Sequence, residues 1–422
     1  MAAPSNIVIL GGGTGGTLTA NRLHKRLGDG AHITVVDQDD CHVYQPALIF
    51  LPFGLAEPET MVRSRAGQLH DGIHFVIAQV DHVETAENAV HLTDGAVLGY
   101  DVLIVASGVR LQPEETEGMT GPGWNERVFT FYDVEGATAL RAALKAFTGG
   151  RVVVNVVDMP IKCPVAPLEF CFLADWYFAD RGIRDQVELT FVTPLDGAFT
   201  KPVASEALGG LLAEKHVELI TEFAAGEIDG AAGVLRSWDE REVPFDLLVT
   251  VPLHGGAAFV ERSPGLGDDL GFVPSDHRTL QSRAAPNVFV IGDAAALPTS
   301  KAGSVTHFEG STLVTNVERF LAGEPLEASF DGHANCFIET GFSKALLIDF
   351  NYDTEPLPGR YPEGHVGPLP LLKESRLNHM GKLMFEWVYW HVLLPGREIP
   401  GISDQMQMAG KHQPAEREES AP

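Results

Sequence analysis

The thiols carry the first chemistry that can be read from this chain. Cys163 stands in Ile161-Lys-Cys-Pro-Val-Ala-Pro-Leu-Glu-Phe170, just after the apolar run Arg151 to Val157. The spacing predicts a strand running into a helix, because Pro167 suits a first helical turn and Glu169 to Trp176 continues with helical spacing. A helix N-terminus and the adjacent Lys162 would both lower a thiol pKa and give thiolate at neutral pH. The alternative for Cys163 is a small buried apolar residue. Cys171, amid FCFLADWYF, reads as packing. Cys336, in ANCFIETGFSKALLIDFNY with a strand-like pair around Thr340-Gly341, is a possible redox partner, and Cys41, in a loop after Asp37, competes for that place. Four widely spaced cysteines without a CxxC pair fit neither a secreted disulfide scaffold nor a zinc site.

Such thiols need elements to hold them, and the N-terminus supplies the clearest. Asn6 to Leu10 is a short apolar strand, GGGTGG follows, and TLTANRLHKRL has helical spacing. Gly11, Gly13 and Gly16 fit G-x-G-x-x-G, whose tight turn seats a pyrophosphate on the helix N-terminus. A second strand, His32 to Val36, ends at Asp37, where a carboxylate can accept from ribose hydroxyls. Strand, glycines, helix, strand and acid in that order specify a dinucleotide site far better than the glycines alone.

Two later stretches say which dinucleotide. YDVLIVASG, Tyr100 to Gly108, resembles the strand-turn that closes the FAD domain of flavoproteins with two dinucleotide-binding domains. NVFVIGDAAAL, Asn287 to Leu297, resembles their second FAD motif, a strand ending in Gly292-Asp293 where a helix starts. The resemblance implies FAD, with Asp293 on a ribityl hydroxyl and a helix dipole aimed at the flavin pyrimidine. Gly292-Asp293 also reads simply as a cap at a tight turn. Lys301, a little further on, approaches the flavin or the electron acceptor as a cation, or is a surface lysine.

Between these segments lies a second α/β unit, roughly Phe129 to Arg283, that lacks the nicotinamide signature. RVVVNVV runs into DMPIKCPVAPLEF without a glycine, and the next strand, Val187 to Val192, ends in Thr193-Pro194. Proline and missing glycines keep a backbone from approaching a pyrophosphate closely. The expected fold is α/β, with two Rossmann-like domains of the FAD/NAD(P) type and a C-terminal membrane-associated segment. Residues 1–113 and 285–325 would form the FAD domain, 114–284 the second domain, and 326–422 the C-terminal region.

Taken with KCPVAPLEF, CFIETG and the closing KLMFEWVYWHVLLPG, the FAD segments resemble the sulfide:quinone oxidoreductases. The likeness also takes in YQPALIFLPFG and PTSKAGSVTHFEG, and so covers nearly the whole chain. It implies that Cys163 and Cys336 flank the flavin and hold a sulfur bridge that sulfide attacks, with Glu169 as acid/base. Phe337 falls where the family stacks quinone. Many members carry a third cysteine before the second domain, and VFTFYDVEGA has none. The subtype and the fate of the sulfur therefore stay open.

Composition limits the partners. A formal charge of −27 excludes a nucleic-acid surface and any broad attraction to anionic lipid. The segment Lys373 to Gly396 combines Lys373, Arg376 and Lys382 with Trp387, Tyr389 and Trp390, and its run from Trp387 to Gly396 is too short to span a bilayer but suits the headgroup zone. The expected partners are thus sulfide, a membrane quinone and a lipid surface. Packing on the protein, or a homo-oligomer interface, is the other use of that segment. No signal peptide is read ahead of the first strand, which places the protein peripherally on the cytoplasmic side of the membrane. His254 and His307 could relay protons, but isolated histidines read more simply as packed or hydrated and neither is counted as catalytic, and the tail from Ala409 is expected to be disordered. Three other functions fit parts of the pattern: a type II NADH:quinone reductase, the flavin subunit of a flavocytochrome sulfide dehydrogenase, and a flavin-bearing sulfide sensor without turnover.

Overall fold

The computed structural model describes residues 3–362, 367–399 and 401–412. Its first parallel sheet runs Val288–Val290, Val102–Val105, Ser5–Leu10, Ala31–Asp37, His74–Ile77. The outer strand Val288–Val290 thus returns from late in the chain to lie beside the early strands. Strand Val102–Val105 is buried throughout, as a parallel sheet covered on both faces requires. A second parallel sheet has the order Val128–Phe129, Leu247–Val251, Gly150–Val156, Val187–Val192, Val217–Ile220. Small antiparallel sheets decorate each unit, among them the meander Val80–Glu84, Ala89–Leu92, Val97–Gly99.

Helix Ala166–Asp180 leaves the central strand of the second sheet and is buried on all sides, with Phe170, Cys171, Phe172, Leu173 and Ala174 consecutively inside. A helix that is apolar all round must sit in a core, and Cys171 is part of that packing. The hairpin Ala334–Gly341 and Lys344–Phe350 lies against this helix on one side and helix Arg376–Val388 on another. Three segments far apart in sequence therefore share one interior.

Two expectations are corrected here. No helix starts at Asp293: Gly292–Ala294 is a single tight turn, Ala295–Ala296 pairs with Val273–Pro274, and the helix begins only at Gly303. Pro298 lies at a bend in the stretch that carries the chain to Lys301, which bridges to Lys162. The tail is also held further than expected. Lys411 pairs with Gly359 through its backbone, and its ammonium lies 2.6 Å from the buried Asp349 carboxylate. Residues 413–422, the rest of the expected disordered tail, lie outside the described residues. No helix among the described residues is long and apolar enough to cross a membrane.

Candidate functional site

The turn between strand Gly150–Val156 and helix Ala166–Asp180 positions Cys163. Cys163 adopts φ 49°, a left-handed backbone that costs a non-glycine residue about 1–3 kcal/mol. Its N–H donates to Lys301 O at 2.6 Å, and its carbonyl accepts from Ala166 N at 2.9 Å and from the Tyr132 hydroxyl at 3.2 Å. The strained turn is thereby tied to the Asp293–Lys301 loop that follows strand Val288–Val290 of the first sheet. Cys336 comes from strand Ala334–Gly341, packed on the same helix, and its charge acts on Cys163. Cys41 is exposed on strand Cys41–Val43 and is not among the groups that act on either thiol, so it loses the competition for partner.

A buried ion pair sits beside the two sulfurs. Glu169, one turn into the helix, accepts from Lys382 Nζ and, at 2.7 Å, from Glu339 N. Lys382 also reaches Phe337 O at 3.3 Å. Burial raises the Glu169 carboxyl pKa, opposed by Lys382. Burial lowers the Lys382 ammonium, but Glu169 and Glu339 outweigh it and hold the cation charged. Glu339 in turn receives His379 Nδ1 at 3.0 Å on both oxygens, and His379 is 22% exposed at its side chain. Lys382 acts electrostatically on both carboxylates, so a cluster of titratable groups, with His379 at its outer edge, runs from Glu169 toward the surface.

The expected low thiol pKa is overturned. Burial pushes the Cys163 thiol up, Glu169 and Cys336 add to it, and the opposing Lys382 and Ala166 N–H are too weak to reverse it. Cys336 is pushed up to about 12 by burial and Glu169. Lys162 does not serve as the activating cation: its Nζ donates to Tyr132 O at 3.1 Å and lies over the Tyr132 ring. Dehydrated thiols resist ionisation whatever their neighbours in sequence.

The glycine turn of the first sheet has the opposite character. A Cβ on Gly16 would meet Gly11 O at 1.8 Å, one on Gly11 would meet Ala106 O at 2.4 Å, and one on Gly13 would meet nothing within 4 Å. The first two glycines allow the backbone to close up and the third leaves open space at the start of helix Thr14–Leu27, which has no side-chain cap. Asp37 accepts from Gly12 N at 2.6 Å and from Arg65, at the end of its strand. Gly108 and Gly292 take φ 65° and 71°. The Asp293 carboxylate accepts no hydrogen bond from any described residue, while burial raises its pKa against Lys301 and Lys162. Lys301 is turned to the loop itself, donating to Asp293 O at 2.7 Å and Ala295 O at 3.1 Å. Uncapped helix start, ribose-side carboxylate and free second carboxylate fit the FAD expected from the sequence. At the corresponding turn of the second sheet Ile161 and Val165 are buried and no glycine stands between Val157 and Ala166.

Residues 5–156 match the pyridine nucleotide-disulphide oxidoreductase family model. The mitochondrial sulfide:quinone oxidoreductase of Mus musculus is 27% identical over 397 residues, covering 92% of this chain and 86% of its own. That of Dictyostelium discoideum is 28% identical over 400 residues, covering 93% and 86%. The chain is a relative of the sulfide:quinone oxidoreductases. The crystal structure of the Aquifex aeolicus sulfide:quinone oxidoreductase superposes with a TM-score of 0.77 at 22% identity, over 93% of this chain and 92% of that one, and shows the same fold.

Helix Arg376–Val388 and the turn after it are amphipathic, and their layout differs from the expectation. Tyr389 and Trp390 are buried, against His42 and Tyr44, with Tyr389 Oη 2.7 Å from both Thr14 Oγ1 and His42 Nε2. Of the three clustered aromatics only Trp387 faces out. It joins Leu377, Met380, Leu383 and Met384, each about half exposed or more, along one side of helix Arg376–Val388. Spacings of three and four residues put them on one stripe. Phe337 follows Cys336 in its strand, so its ring faces the opposite side, against Gly381 of this helix.

Sequence reasoning missed Lys382 as a site residue, together with Glu339, His379 and Glu309. The Glu309 carboxylate accepts from Gly292 N at 2.6 Å, and burial pushes its pKa to about 7. His254 and His307 are both buried and lowered, to about 4 and about 3, chiefly by burial. Neutral imidazoles at physiological pH are poor relays in those positions.

Proposed function

We propose that the protein is an FAD-dependent sulfide:quinone oxidoreductase in which Cys163 and Cys336 carry the sulfur. What supports this most is that both thiols share electrostatic surroundings with the buried Glu169–Lys382 pair, and that Cys163 stands at the turn where a nicotinamide cradle would otherwise lie. Gly11, Gly13, Gly16, Asp37, Gly108, Gly292 and Asp293 would hold the FAD, which supplies a two-electron acceptor between the sulfur bridge and quinone.

Two thiols whose ionisation is disfavoured by burial rest best as an uncharged bridge. Hydrosulfide attacks one bridging sulfur, breaking the S–S bond and forming another, which leaves a persulfide on one cysteine and a thiolate on the other. Re-closure forms a bridge one sulfur longer and releases two electrons and the persulfide proton. Glu169, with its raised pKa, takes that proton, and the cluster of Lys382, Glu339 and His379 lies between it and solvent. Phe337, on the far side of the strand from Cys336, would stack the quinone, and the apolar stripe of helix Arg376–Val388 would rest in the lipid surface from which quinone enters. The attachment proposed is peripheral, on the cytoplasmic side of the cell membrane.

Cys163→Ser and Cys336→Ser proteins that retain FAD test this reading. Each should reduce quinone with sulfide only at the background rate, and parental turnover in either would refute the cysteine mechanism.

A further inference from the structure

We infer that the outer face of the hairpin Val80–Glu84 and Ala89–Leu92 binds a divalent transition-metal ion of the Zn2+ class, through His82, His91 and Glu84. The hairpin belongs to the meander beside the first sheet, and the ion has no part in the sulfur chemistry. Val83, Val90 and Leu92 face the core, so strand alternation puts His82, Glu84 and His91 together on the opposite, partly exposed face. His82 and His91 are direct cross-strand partners, their rings stacked at 4.3 Å and 5°. One donor atom from each of the three residues lies within 4.8 Å of the others.

The details favour a ligand over a surface cluster. His91 Nε2 is shielded from solvent and has no hydrogen-bond partner among the described residues, with Glu84 Oε2 4.0 Å away. That gap is too wide for a hydrogen bond. It is close to the roughly 3.3 Å separating two ligands on a tetrahedral ion with bonds of about 2.0–2.2 Å. Joint ligation also requires the two stacked rings to turn out of their parallel arrangement, a motion open to side chains that are partly exposed.

A supporting residue is already in place for the remaining ligand. The register slips between Val80 and His82, and the extra residue is Asp81. The bulge brings Asp81 Oδ2 to 3.0 Å from His82 Nδ1. With Nδ1–H donated to the carboxylate, the lone pair of Nε2 is free to bind metal, the usual arrangement behind a ligating histidine. Asp81 is itself held by Arg262, whose Nε donates to Asp81 O at 2.8 Å and lies 3.4 Å from Oδ1. Two imidazoles and one carboxylate select Zn2+, Co2+, Ni2+ or Cu2+ over Mg2+ and Ca2+, which require oxygen ligands. Three protein ligands leave a fourth position for water.

Zn2+ titration of the full-length, FAD-loaded protein by calorimetry tests the site, read as the difference between parent and His91→Ala so that metal bound by the thiols cancels. The parent should bind one more equivalent than His91→Ala, and Mg2+ should give no such difference. Asp81→Asn keeps all three ligands and should bind the same equivalent at least about tenfold more weakly. Equal stoichiometry in the parent and His91→Ala would overturn the site. Unchanged affinity in Asp81→Asn would overturn the orienting role of the bulge.

Discussion

Replacing Lys382 by methionine should be among the most damaging single changes outside the cofactor loops. The Lys382 and Glu169 side chains are 11% and 2% exposed, so Lys382→Met leaves a dehydrated carboxylate whose remaining described hydrogen bond comes from Glu339 N. Breaking a buried pair from one side typically destabilises by about 3–5 kcal/mol. Protonation of Glu169 limits the loss, which places the expectation near the lower end, about 3 kcal/mol at pH 7. The sign of the pH dependence follows. Burial already raises the Glu169 pKa, and without Lys382 nothing comparable opposes it. A group with a raised folded pKa contributes its stability at low pH and loses it as pH rises. The deficit of Lys382→Met should therefore shrink at pH 5 and grow at pH 8. Adding Glu169→Gln removes the stranded charge while keeping an acceptor for Glu339 N, and should recover at least about 2 kcal/mol. Urea unfolding of the parent, both single variants and the double, at the three pH values, measures each quantity. A loss under about 1 kcal/mol for Lys382→Met, or a double variant no better than the single, would refute the description of this pair as buried and mutually dependent.

Other outcomes follow from the same structure. In the reduced protein near pH 7.5, an assay value set here at roughly one unit below an ordinary thiol pKa, iodoacetamide should label exposed Cys41 before Cys163 and Cys336; mass spectrometry that finds Cys163 labelled first would restore the activated thiolate. Glu309→Gln should stabilise the fold progressively with pH, because a carboxyl raised to about 7 loses its contribution as pH rises through that value; between pH 5 and 8 the gain over the parent should grow by about 2–3 kcal/mol in urea unfolding. Leu383→Glu, Met384→Glu and Trp387→Glu combined should leave stability nearly unchanged, since all three side chains are exposed, yet weaken vesicle co-sedimentation at least about tenfold. Undiminished binding would assign the stripe to some other contact.

The parts of the site that were legible in sequence are those that local geometry dictates. GGGTGG between a strand and a helix, the carboxylate of Asp37 ending the next strand, and a glycine-free turn before Cys163 each state a backbone requirement that neighbouring residues alone can meet. The ion pair was not legible, because Glu169 and Lys382 are 213 positions apart and only the packing of two helices around one hairpin joins them. Lys162 shows the converse error. Adjacency to Cys163 in sequence suggested a charge on the thiol, but the side chain turns to Tyr132 O while burial decides the pKa. The closing aromatics misled for a similar reason. Composition marks Trp387, Tyr389 and Trp390 alike, whereas the stripe of Leu377, Met380, Leu383, Met384 and Trp387 at helical spacing separates the outward face from the residues that dock on His42 and Tyr44.

Anaerobic titration of the purified flavoprotein, following flavin absorbance with sulfide in one cuvette and NADH in another, tests the central claim most directly. Bleaching by sulfide alone, reversed by a short-chain quinone and absent in Cys163→Ser, is the predicted result. Bleaching by NADH with no response to sulfide would contradict it, and would mean that the turn holding Ile161, Cys163 and Val165 admits a nicotinamide after all.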